Sequence, residues 1–290
     1  MVSEFMLQQT TVAAVMPYFR RWMERFPTLE ALALAREEDV LTLWQGLGYY
    51  GRARSLRRAA QVIVEQAGGK VPASAEALRR LPGVGRYTAA AIASFAFDAP
   101  EPVIDANIAR VLSRLHNWRK PLNDAVGRAF LAAAANKLFP KQNGRLHNSA
   151  LMDLGALVCV ARNPRCHHCP VRDDCLAEDP QQLPLKQPRK AERICEARAF
   201  VFEQGRLWLE LSAGPRWQGL WILPAAEATN SRPAHVELFS ITRFRVKMGV
   251  YIEERKKRQL TGYPPGALPP MPSPHRRAVA AMLTKVHSRR

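Results

Sequence analysis

Through the first 159 residues apolar side chains recur every three or four positions, the period of helices with one buried face. Ser3 to Ala14 reads as a short, partly apolar helix, and Tyr18, Phe19, Trp22, Met23 and Phe26 form a second after Pro17. Leu29 and Leu32 follow a Thr28 cap, and Val40, Leu41 and Trp44 run into Gly46-Leu47-Gly48-Tyr49-Tyr50, where the glycines break the run. Ala53, Leu56, Ala60 and Ile63 mark the next helix, which Gly68-Gly69 stops. Ser74 and Asn123 are the expected caps of two more, and helices from His147 to Val158 lead to Cys159. From Ala197 the period falls to two. AFVF, a Glu203-Gln204-Gly205 turn and LWLEL predict a hairpin, and Phe244, Val246, Met248, Val250 and Ile252 alternate with Arg245 and Lys247 as in a half-buried strand. A last helix carries Val279, Met282, Leu283 and Val286 on one face. An all-α part is thus followed by a smaller α+β part, with a proline- and glutamine-rich linker over Pro180 to Arg193.

The stretch LPGVGRYTAAA, Leu81 to Ala91, is where two helices meet. A proline and two glycines close a tight turn and a helical run opens at once, which makes a helix-hairpin-helix. The free N–H groups of Gly83, Val84 and Gly85 approach a phosphate closely because the glycines carry no Cβ, and Arg86 adds a cation. An ordinary glycine-capped helical turn fits the bare pattern equally well, so the rest of the chain has to decide.

Charge shifts that balance. Among 290 residues, 43 Lys and Arg against 25 Asp and Glu leave a net +18, a charge whose natural partner is a polyanion. Acidic lipid is the competing partner, but no basic amphipathic helix or lipidation signal supports it. No basic stretch leads into an apolar core at the start, and the longest small-apolar run, Thr88 to Phe97, is too short to span a bilayer. The expectation is a soluble, cytoplasmic protein associated with the nucleoid. Four of the five cysteines fall within seventeen residues, as Cys159-x6-Cys166-x2-Cys169-x5-Cys175. Four thiolates so close point to one metal centre, zinc or iron–sulfur. Structural zinc sites usually separate two cysteine pairs by a longer loop, which favours a 4Fe-4S cluster. His167 and His168 inside the loop read as solvent-facing, Arg162, Arg165 and Arg172 as cations offered to phosphate or offsetting the cluster's charge, and Cys195 as a buried or inert thiol.

With those residues in view, the chain resembles the endonuclease III superfamily of DNA glycosylases. SEFMLQQT at 3–10, GLGYYGRAR at 46–54 and MDLGALVC at 152–159 resemble its MutY branch, the adenine glycosylases acting opposite 8-oxoguanine. The resemblance implies a mainly α helix-hairpin-helix glycosylase fold with a 4Fe-4S loop and a smaller α+β MutT-like domain. It implies a six-helix-type module over 1–104, a helical cluster-loop domain over 105–178, a linker over 179–195 and the MutT-like domain over 196–290. Cleaving a purine from deoxyribose needs an acid for the leaving base and an anion facing the sugar cation. By resemblance Glu4, set among Val2, Phe5, Met6 and Leu7, protonates adenine N7 and later activates water, while Asp105 stabilises the cation. Asp105 also reads as a simple helix cap.

Relatives that cut the strand carry a lysine where this chain has Tyr87, and a phenol forms no Schiff base, so a monofunctional enzyme is expected. A flipped base leaves a gap, and Gln9 and Tyr49 match the family's wedge positions with Gln8 beside them; a solvated helix face and a core Tyr49–Tyr50 pair are the plain readings. GLWILPA at 219–225 and SPHRRAV at 273–279 resemble the MutT-like domain more loosely, no Glu-rich hydrolase helix follows Pro224, and Phe244-Arg245-Val246 replaces the usual Phe-Ser-His, with Arg245 left to contact the lesion or a phosphate. Glu4 stands three residues from Met1, and the upstream helix and loop of the family are not in this sequence, so the expectation is either a truncated or mis-started form or an adenine pocket open on one side. The implied partner is duplex DNA with A:8-oxoguanine or A:G mispairs, bound by a monomer. Two alternatives stay open: a non-catalytic, cluster-stabilised DNA binder, and an endonuclease III-like lyase that Tyr87 disfavours.

Overall fold

The computed structural model describes residues 1–185, 191–214, 216–226, 232–255 and 259–287; within the expected linker, 186–190 lie outside the described residues. The chain divides into two compact units, one of Met1–Gln8 with Arg58–Pro188 and one of Gln9–Arg57 with Arg189–Arg290.

The first unit is helical. It holds α1 (Val2–Leu7), the end of α5 (Gly51–Ala67), α6 (Ala75–Leu78), α7 (Arg86–Phe97), α8 (Ala106–Leu115), α9 (Ala125–Leu138) and α10 (Gly144–Asp153). Side-chain caps start α6 and α8: Ser74 accepts from Ala77 N at 3.2 Å, and Asp105 from Ile108 N at 2.6 Å. The cap of α9 is Asp124, which accepts from Gly127 N at 2.7 Å, rather than the expected Asn123. Asn123 instead offers its carbonyl to Arg128 at 2.6 Å. The small residues Thr88 to Ser94 bury α7 on all sides, so it forms the centre of the unit. Helix α10 gives way to one π-helical turn, Leu154–Val158, closed by Cys159 N donating to Leu154 O at 2.7 Å.

The second unit joins α2 (Val12–Arg25), α3 (Leu29–Leu34), α4 (Glu37–Trp44) and the start of α5 to a sheet and a final helix, α11 (Ser273–His287). Pro17 lies inside α2, which begins at a Thr11 cap and not after the proline. Trp22 packs edge-on against Trp44 and Phe26 at 5.5 and 5.2 Å. The strands are β1 (Glu192–Glu203), β2 (Arg206–Leu211), β3 (Trp221–Ile222), β4 (His235–Ile241), β5 (Phe244–Ile252) and β6 (Thr261–Tyr263). Their order is β3-β2-β1-β5-β4 with β6 also on β2; β1 and β5 run parallel and the other pairs antiparallel. The expected hairpin forms through Gln204 and Gly205, both at positive φ, as a two-residue turn requires. Phe200, Leu207, Leu209, Met248 and Val250 meet Val279 and Met282 of α11 in one core. Val246, Met248 and Val250 point inward as expected, whereas Ile252, at the strand's end, is 61% exposed.

Candidate active site and metal centre

Within the first unit α1 and α7 are tied by Gln8 Nε2 donating to Thr88 Oγ1 at 3.0 Å, so Gln8 is no solvated residue. Tyr87 sits in the first turn of α7. Burial first, then the negative charges of Glu4 and of Asp105, push its phenol far above its ordinary value. Two carboxylates about a hundred residues apart in sequence therefore act on one side chain. Burial also raises the Glu4 carboxyl, against a smaller opposing pull from the Met1 ammonium. Its flanking Phe5 and Met6 are fully buried. Asp105 is the N-cap of α8: Oδ1 takes the Ile108 amide and Oδ2 the Asn107 side-chain amide at 3.0 Å. A carboxylate offers about four lone-pair sites, so two donors fix its direction and leave acceptor capacity over.

Several residues that the sequence reading passed over hold this arrangement. Asn148, buried, accepts from Val103 N at 3.1 Å and donates to Ser94 Oγ at 2.8 Å and Glu101 O at 2.9 Å, which pins the chain just before Asp105. Gly155 lies so close to α8 that a Cβ there would stand 2.7 Å from Asn107 Cβ. Arg110 donates to Asn107 Oδ1 at 2.9 Å, Gly155 O at 2.7 Å and Cys159 O at 2.8 Å. Arg114, 1% exposed, donates to Leu183 O, Cys159 O and Val160 O at 3.1, 3.1 and 2.8 Å. Asn107, Arg110 and Arg114 fall at three- and four-residue spacing, one face of α8, and that stripe was the available signal.

Cys159, Cys166, Cys169 and Cys175 are free thiols that line one cavity of about 290 Å³ with Val158, Pro164 and Arg114. Burial and the other three thiols raise Cys169. Four thiolates lining one space of that size fit an iron–sulfur cluster. His167, His168, Arg162, Arg165 and Arg172 are exposed around it.

The hairpin between α6 and α7 has Gly83 at φ +75° and Gly85 as the cap of α7. Gly83, Gly85 and Arg86 are exposed, while the Val84 side chain is buried and its N–H, expected to be free, closes the turn by donating to Leu81 O at 3.2 Å.

In the second unit Gln9 and Tyr49 are both exposed non-glycine residues at positive φ, +58° and +50°. Arg52 joins their loops, donating to Thr10 Oγ1 at 3.3 Å and to Leu47 O and Gly48 O at 3.1 Å, and stacks over the Tyr49 ring. Tyr49 and Tyr50 are not a core pair: Tyr49 is 45% exposed and Tyr50 7%. On the sheet, Arg193, Cys195, Arg245, Lys247, Leu238 and Ser240 share one face by their register. Cys195 is therefore exposed, not buried, because its strand position points away from the core. Arg245 is exposed on a face where, among the described residues of β1, β4 and β5, the one carboxylate is Glu203 at the far end of β1.

Residues 2–134 match the HhH-GPD superfamily base excision DNA repair protein family, and residues 159–175 match the iron–sulfur binding domain of endonuclease III. The chain is 49% identical over 178 residues to the adenine DNA glycosylase of Rattus norvegicus, covering 61% of this chain and 34% of that protein. It is 34% identical over 230 residues to that of Buchnera aphidicola from Schizaphis graminum, covering 77% and 66%. The solved structure of a non-covalent endonuclease III–DNA complex superposes with a TM-score of 0.52 at 27% identity, over 59% of this chain and 79% of that one. The chain thus spans a third of the length of the first relative. Among the described residues no helix is long and apolar enough to cross a membrane.

Proposed function

Because this chain belongs to the helix-hairpin-helix superfamily of base excision DNA repair proteins, and within it to the MutY-type branch, we propose that it excises adenine mispaired with 8-oxoguanine or guanine from duplex DNA. The observation that carries this reading is that α1, which bears Glu4, is tied by Gln8 to Thr88 of α7 beside Tyr87, while Asp105 is fixed by the Ile108 amide at the start of α8.

In this reading the adenine is rotated out of the stack between the two carboxyl groups. Glu4, whose burial favours its protonated form, gives its proton to N7; the C1′–N9 bond breaks with its electron pair leaving on the base. The Asp105 carboxylate faces the positive charge on the sugar, water adds at C1′, and its proton returns to Glu4. Tyr87 occupies the place a lyase would give to an amine; a neutral, half-buried phenol packs the sugar and leaves the strand intact. Gln9 and Tyr49 fill the gap in the duplex, Gln8 holds α1 against α7, and the N–H groups of Gly83 and Gly85 with Arg86 take a phosphate.

Cys159, Cys166, Cys169 and Cys175 hold the 4Fe-4S cluster, which braces the loop presenting Arg162, Arg165 and Arg172. The C-terminal sheet acts as a MutT-like domain on the opposite strand, with Arg245 on its basic face. Arg193 and Lys247 beside Arg245 favour phosphate as its contact.

Asp105→Asn keeps the cap and removes the charge. Treated with alkali after incubation, an A:8-oxoguanine duplex is expected to show a nick at the adenine with the parent protein. With the variant, product is expected to fall by about a thousandfold or more at nearly unchanged affinity. An active Asp105→Asn variant, or a covalent DNA adduct trapped in good yield by borohydride, would overturn the assignment.

A further inference from the structure

The loop Gly46 to Tyr50 between α4 and α5 is held far more tightly than a connection needs. Gly46, Gly48 and Tyr49 have φ of +110°, +71° and +50°. A residue with a Cβ stays in that region only where its surroundings hold it there. Part of the hold is local: Trp44 Nε1 donates to Gly48 O at 3.0 Å, and Arg52 to Leu47 O and Gly48 O. The Tyr18 ring closes over Gly46, where a Cβ would collide with its hydroxyl.

The rest of the hold comes from far along the chain, inside the same compact unit. Tyr50 OH donates to Met271 O at 3.1 Å, and Gln45 Nε2 reaches the same carbonyl at 3.4 Å. Met271 is fully buried in the core formed by the sheet and α11. One turn further on, Arg54 bonds to Gln218 O and, at 2.6 Å, to Glu37. Gly219 leaves room for that guanidinium: a Cβ there would stand 2.6 Å from Arg54 Nη2. Burial pushes the Tyr50 phenol up to about 12, so it keeps its donor proton across the working pH range.

We propose that Tyr50 is a positioning residue: through the Met271 carbonyl, the C-terminal sheet domain sets the backbone of the 46–50 loop and thereby aims the Tyr49 ring at the duplex. This rests on the wedge reading of Tyr49 and extends it. The sheet domain then serves the strand that carries the adenine as well as the opposite one, by keeping the intercalating ring in its strained conformation before DNA arrives. Preorganisation of this kind lowers the ordering cost of binding.

The clamp is tested first without DNA. In the full chain, Tyr50→Phe removes one hydroxyl and little volume. Amide hydrogen exchange over 46–50 is expected to speed up about fivefold, the factor one buried hydrogen bond represents, while the β1–β2 amides keep their rates. Should Tyr50→Phe fold poorly, Gln45→Ala removes the second donor to the same carbonyl and is expected to act in the same direction. Unchanged exchange in the loop, or equal loosening of loop and sheet, overturns the clamp. With DNA, 2-aminopurine placed at the step beside the lesion reads the stacking of Tyr49. Tyr50→Phe is expected to weaken affinity about fivefold, to lower the excision rate at saturating duplex less, and to have no further effect in a Tyr49→Ala background. Penalties that add overturn the proposal. A Tyr49→Ala variant of unaltered affinity removes the wedge reading and with it the part given to Tyr50 in DNA binding, whereas the exchange measurement decides the clamp by itself.

Discussion

At the residue scale, the properties that matter are set by what surrounds a side chain. Glu4 shows this. Burial raises its carboxyl above the unfolded value, so the stability it contributes is present at low pH and lost as pH rises through its folded value. At neutral pH the buried carboxyl is therefore a liability in the fold and, in its protonated form, an asset in the proposed reaction, a common trade at working sites. Glu4→Gln is expected to raise the melting temperature at pH 7 by a few degrees relative to the parent, to narrow that difference at pH 4, and to abolish excision. Thermal denaturation across pH together with single-turnover assays would check it. A variant that melts lower at pH 7 would contradict the sign. The apolar neighbours Phe5 and Met6 made this environment legible in the sequence, because burial of a short helix follows from its pattern. The neighbouring tyrosines were not legible: Tyr49 and Tyr50 are the same residue type one position apart, and only the αL backbone at Tyr49 turns one ring outward and the other in.

Helix α8 is the element that joins the chemistry to the metal site. Its N-cap is Asp105, its next turns carry Asn107 and Arg110, and Arg114 reaches the cluster loop. Arg114 is buried against carbonyl oxygens, so its removal leaves several acceptors without a donor. Arg114→Met is expected to cost about 3 kcal/mol or more of stability and to lower the iron content per chain, while Arg114→Lys restores only part, since an ammonium cannot reproduce the planar fork. Denaturant titration and iron analysis on the purified variants measure both; full iron occupancy in Arg114→Met would contradict the assignment. Helix periodicity announced α8, and the cysteine spacing announced the loop. That the two touch was hidden, because Arg110 and Cys159 are 49 positions apart and hydrogen-bond through a backbone oxygen, which leaves no mark in side-chain pattern.

For the whole molecule, the +18 charge is the dominant property, and it predicts a steep salt dependence of DNA binding. If Arg86, Arg162, Arg165, Arg172 and Arg245 each neutralise one phosphate, the slope of log affinity against log salt is about −4.5. Each of Arg162→Ala, Arg165→Ala and Arg172→Ala is expected to flatten it by about one, as titrations between low and moderate salt would show. Slopes unchanged in all three would assign those cations to the cluster's charge alone. The amino-acid sequence by itself determined the helical body, the hairpin of Gly83 to Gly85, the four-cysteine loop and the α+β end, since period, turn chemistry and ligand spacing are local properties of a chain. The tertiary structure alone decided that Glu4 and Asp105 share Tyr87, that Asn148 and Gly155 fix the start of α8, and that Tyr50 anchors to Met271. Those relations join residues tens to hundreds of positions apart, and packing chooses such partners by shape and unsatisfied hydrogen bonds, neither of which sequence order records.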